Sequence, residues 1–75
     1  MSNSFNNPTE GRHFLRLKLA YFVSEISTDT WCRKVYEIET PTGTEVWIER
    51  ESRLEAPEYY YELFQYQGVE EAVNA

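Results

Sequence analysis

The chain has 75 residues, with 13 acidic side chains against 7 basic ones and a formal net charge of −6. That size fits one lean domain, and that charge disfavours direct contact with a nucleic-acid backbone. One cysteine and one histidine exclude an internal disulfide and an ordinary zinc tetrad, and no apolar run approaches the ~20 residues that span a bilayer.

Residues 1–10 are polar apart from Met1 and Phe5 and are expected to form a flexible tail with no leader-like apolar stretch. A cytoplasmic location is therefore expected. The folded domain is expected over residues 11–68, followed by a flexible acidic tail over 69–75. A core of this size supplies only about 3–5 kcal/mol without staples. The 16% aromatic content therefore has to carry much of the burial, and a homodimer is one way to complete it.

Within the domain, residues 13–26 read two ways. Leu15, Leu17, Leu19, Tyr21 and Val23 alternate like a strand, whereas Leu15, Leu19, Phe22, Val23 and Ile26 fit a helix stripe. The β-favouring run Tyr21-Phe22-Val23, with no N-cap box inside the segment, favours the strand. Ser27-Thr28-Asp29-Thr30 is a polar break, and a second strand is expected from Trp31 to Thr40. Cys32 reads as a small, half-buried apolar side chain in a reducing compartment.

The strongest local signal is Pro41-Thr42-Gly43 between two alternating segments. Proline pre-sets the first turn position and glycine supplies a left-handed residue, which predicts a three-residue hairpin with a bulge. With Thr40 opposite Thr44, Tyr36, Ile38, Val46 and Ile48 share one face. Val35, Glu37, Glu39, Glu45, Trp47 and Glu49 share the other. Further on, Pro57 at a helix N1 position, Glu58 in the first turn and a closing Gly68 predict a short helix over residues 56–67. A fourth strand is the alternative for YYYELFQY.

These elements predict an α+β domain, a three-stranded antiparallel meander with one C-terminal helix. The alternatives are a helical first element or an all-β fold. The acidity belongs to the second half, where ten Glu face only Arg50 and Arg53. The expected binding surface is the acidic hairpin face of Val35, Glu37, Glu39, Glu45, Trp47 and Glu49, joined by Tyr59, Tyr60 and Tyr61 as aromatic contacts. An ordinary solvated sheet face is the plain alternative. Arg12, Arg16 and Lys18 beside Phe14 lack the glycine and aromatic pattern of a nucleic-acid reader.

No phosphate loop, nucleophile elbow or metal motif is present in the sequence. No catalytic residue, cofactor or metal ligand is expected, nor any membrane contact. The sequence thus points to a non-enzymatic protein-binding modulator that docks its acidic face onto a basic surface of a larger target, such as a nucleic-acid-handling enzyme or a defence complex. Phage-encoded inhibitors offer an analogy in size and charge. The alternative is a structural accessory subunit or a small homodimer whose aromatic surface stays buried.

Overall fold

The computed structural model of the chain describes residues 4–67. Strand β1 (Ser4–Phe5) leads into helix α1 (Pro8–Leu17). Strands β2 (Tyr21–Ser27), β3 (Trp31–Thr40), β4 (Gly43–Ser52) and β5 (Tyr61–Tyr66) follow. The strands form one five-stranded sheet in the order β1-β5-β4-β3-β2, every neighbouring pair antiparallel. Among the described residues no helix is long and apolar enough to cross a membrane.

Local chemistry explains the helix. Asn7 stands in extended conformation, and its side chain accepts a hydrogen bond from the Glu10 backbone N–H at 3.1 Å. Pro8 occupies the first turn, where a missing N–H costs nothing. Glu10 lies in the first turn and Arg16 in the last, each matched to the helix dipole. At the far end the Leu19 N–H bonds to the Arg16 carbonyl at 3.1 Å and the Ala20 N–H to the Leu15 carbonyl at 2.9 Å. This paired closure needs a left-handed residue, and Leu19 supplies it with φ of +56°.

Topology then decides which face the helix covers. β1 and β2 are the two sheet edges, so the connection between them has to cross one face. Ten helical residues at ~1.5 Å each reach ~15 Å, close to the ~19 Å between the edge strands of a five-stranded sheet. Leu15 of α1 packs with Ile38, Trp47, Tyr61 and Leu63 of the sheet, all buried, and Phe5, Phe14, Ala20 and Tyr36 pack against them. The Phe14 and Trp47 rings are 4.6 Å apart and Phe5 and Phe14 4.8 Å.

The structure therefore overturns the expected three-stranded meander with a C-terminal helix. The fold is mostly β, and the one helix among the described residues is N-terminal. Residues 4–10 of the expected tail form β1 and open α1, while 69–75 lie outside the described residues. The segment 13–26 divides, helix up to Leu17 and strand from Tyr21. The predicted helix over 56–67 is loop followed by β5. Its Tyr61–Tyr66 backbone pairs with β4 from Val46 to Glu51, a ladder that suits its aromatic side chains and uses groups a helix would leave on an open edge.

Candidate interaction surface

The hairpin register sorts the candidate residues onto two faces. Thr40 pairs with Gly43, and the ladder runs without a break through Ile38 opposite Glu45 and Tyr36 opposite Trp47 to Trp31 opposite Ser52. The loop is thus the two residues Pro41 and Thr42, one shorter than the bulged turn expected from sequence. The Thr40 hydroxyl closes it, donating to the Gly43 carbonyl at 2.7 Å while accepting from the Thr42 N–H at 3.3 Å. Gly43 holds φ of +137°, a conformation that a side chain would strain. A one-residue difference in register turns every β4 side chain to the opposite face.

The expected continuous acidic plate is therefore split. Glu45, Trp47 and Glu49 turn under α1, and Val35, Glu37 and Glu39 point to the other side. Trp47 is 1% exposed and Glu49 3%, so neither is available to a partner. Of the three tyrosines, Tyr59 and Tyr60 are exposed and Tyr61 is buried.

Buried Glu49 is balanced by its neighbours. The Tyr61 hydroxyl donates to it at 2.6 Å, and the Arg12 guanidinium approaches at 3.5 Å while also pairing with Glu51. Tyr59 donates to Glu51 at 2.8 Å. Burial, reinforced by the bond to Glu49, pushes the Tyr61 phenol far above its ordinary range. Partial burial opposes the charge on Arg12, but Glu51 and Glu49 outweigh it and raise the guanidinium. Gly11 packs directly against the Tyr61 ring. This arrangement is architectural: it lets helix and sheet meet over a carboxylate that cannot reach water.

Among the described residues no element covers the opposite face. Its middle row, across the strands, is Ser24, Val35, Ile48, Phe64 and Ser4. Towards the hairpin tip follow Tyr21, Glu37, Val46 and Tyr66, then Glu39. Towards the other end follow Ile26, Arg33, Arg50 and Glu62, then Trp31. Val35, Val46, Ile48 and Phe64 are half-buried, and Ile26 is 58% exposed. An open trough of about 450 Å³ is lined by Ile26, Trp31, Arg33, Ile48, Arg50 and Phe64 among others.

Charge is unevenly placed on this face. The Arg50 guanidinium sits over the Trp31 ring, 5.3 Å from its centre. Among the described residues neither Arg33 nor Arg50 has a carboxylate within ion-pair distance. Glu37 accepts from the Tyr21 hydroxyl at 2.6 Å, a bond that, with slight desolvation, raises the tyrosine. On the α1 side of β3 Cys32 donates to Glu25 at 3.1 Å. Desolvation first, then that carboxylate, pushes its thiol up and away from reactivity.

Sequence reasoning missed Arg33, Arg50 and Phe64 as surface features and set Val46 and Ile48 on the face away from the expected docking surface. One signal was available: successive residues of Val46-Trp47-Ile48 and Leu63-Phe64 are all large and apolar, as in strands that bury both faces. Among the described residues no cluster of three or more His, Cys, Asp or Glu is placed to hold a metal ion. No protein-family model, curated protein or solved structure matches the chain. The functional reading therefore rests on this geometry.

Proposed function

We propose that the protein is a non-enzymatic protein-binding module that docks through the open face of its sheet. One observation carries the reading: the centre of β4 and β5 is apolar on both sides, with Trp47 and Leu63 on one and Ile48 and Phe64 on the other, yet α1 covers only the first. An antiparallel sheet meant to face water on one side alternates apolar and polar residues, and the centre of this one does not. The stripe of Val35, Val46, Ile48 and Phe64 suits burial against protein, while Glu37 and Glu39 at one end suit basic groups on a partner.

This shifts weight between the two readings of the sequence. A modulator held mainly by a plate of carboxylates loses Glu49 to the interior and has half-buried Glu45 turned to the α1 side. An accessory subunit or a homodimer, in which apolar burial dominates, fits the open face. Affinity capture with the tagged chain compares wild type with Ile48→Asp, each first shown to be folded by circular dichroism. Loss of the captured proteins from the variant is expected. The same partners at the same yield from both chains would refute the proposal.

A further inference from the structure

The open face is asymmetric along its strands in a way that makes it complementary to itself. On β3, Glu37 lies two residues to one side of Val35, and Arg33 two residues to the other. Val35, Ile48 and Phe64 form the row between them. We infer that the occupant of this face is a second copy of the chain. The two copies pack face to face about a two-fold axis running across the strands through that row. The inference rests on the reading of the open face as the docking surface.

A rotation about this axis exchanges the two ends of each strand. Glu37 of each copy comes over Arg33 of the other, giving two equivalent charge pairs. Val46 comes over the aliphatic stem of Arg50, and the Val35, Ile48 and Phe64 rows pack on each other. Arg33 has no ion-pair partner within its own chain among the described residues, so it needs release from no existing pair. A two-fold axis along β4 instead sets Arg50 over Arg50, which costs free energy as the apolar row is dried. Such a contact is isologous and closes at two copies.

The available area sets the strength. β3 and β4 have ten residues each, or ~33 Å at ~3.3 Å per residue, and the sheet is ~19 Å across. The footprint is then roughly 600 Å² per copy, somewhat below the ~800 Å² a partner contributes to a standard specific interface. A dimer that dissociates on dilution is the consequence. Each copy carries −6, so salt weakens the overall repulsion together with the pairs, and charge exchange discriminates where salt does not.

Sedimentation velocity over a concentration series tests this with wild type, Arg33→Glu, Glu37→Arg and an equimolar mixture of the two variants. Wild type is expected to pass from one mass to twice that mass. Each variant alone is expected to associate at least ~10-fold more weakly, because both contacts then join like charges. The mixture is expected to recover the dimer, since each variant offers at both positions the charge the other requires. A wild type that stays monomeric, single variants that associate as wild type does, or a mixture that fails to recover would each overturn the inference. Should a reversal prevent folding, Arg33→Gln and Ile48→Asp replace it, and association equal to wild type in both would be equally fatal. A monomeric wild type whose capture of other proteins is still lost in Ile48→Asp removes the second copy and leaves the docking face standing. Unchanged capture removes both.

Discussion

Replacing Gly11 by alanine sets helix propensity against packing, and the two predict opposite signs. Gly11 is the fourth residue of α1, and on propensity alone alanine there stabilises by ~1 kcal/mol. Packing reverses this. A Cβ at Gly11 lies 2.9 Å from Cε1 and 3.1 Å from Cζ of Tyr61, and nearer still to its hydroxyl oxygen. That ring has no room to retreat, because Tyr61 is 2% exposed and its hydroxyl is held by buried Glu49. Either α1 lifts from the sheet, at the ~1–3 kcal/mol typical of overpacking, or the phenol releases Glu49, at ~1.5–3 kcal/mol for a bond to a charged group. After the propensity gain is subtracted, Gly11→Ala is expected to destabilise by up to roughly 2 kcal/mol, or up to about 16 °C in Tm for a domain of this size. Urea unfolding followed by tryptophan fluorescence, at a concentration low enough to keep the chain monomeric, measures it. In a Tyr61→Phe background the cost is expected to shrink, since the closest atom is gone. A Gly11→Ala variant at least as stable as wild type would refute this account of the helix–sheet contact.

Removing the cation over Glu49 by Arg12→Met leaves a carboxylate that is 3% exposed with one fewer stabilising neighbour. The Arg12 side chain is itself 46% exposed, so the expected loss is a discounted ~1–2 kcal/mol, and an unchanged urea midpoint would contradict it. Tyr61 and Tyr36 are raised chiefly by burial, with Glu49 adding to the effect. Below pH ~10 their phenols are neutral in both states. Above it the unfolded chain ionises first, so stability is expected to fall as pH rises from about 10. Urea midpoints between pH 8 and 11 check this, with a shallower fall for Tyr61→Phe. Leu19 is 83% exposed and stands where a helix closure prefers glycine. Leu19→Gly is therefore expected to stabilise by ~1 kcal/mol, and a lower thermal midpoint would count against the strain argued here.

Much of the local structure was legible in the residues. Pro41-Thr42-Gly43 between alternating segments marked the β3–β4 hairpin, and Tyr21-Phe22-Val23 marked β2. The helix start was also written in the chain, as Asn7-Pro8 followed by Glu10 at the reciprocal position. Polar residues at an N-terminus otherwise resemble a tail, and only the Asn7 cap with Pro8 distinguishes a helix start there. For Tyr61–Tyr66 the sequence favours a helix, with a strand as the alternative, and the structure has the strand. Proline and glycine at its ends favoured the helix, whereas the β4 edge waiting for a partner favoured the strand.

The sequence by itself determined the acidic charge, the hairpin, and the excess of large apolar side chains over what one face can hide. Tertiary structure alone decided the register, and with it which carboxylates meet water. The difference between a two-residue and a three-residue loop is a few local hydrogen bonds at Thr40, but it sends Trp47 under α1 and Ile48 to the open side. That choice follows from what the helix can cover, because Trp47 meets Phe14 and Phe5 only on the face that α1 crosses. Side-chain alternation is local, but which alternate row is buried depends on the element lying above it.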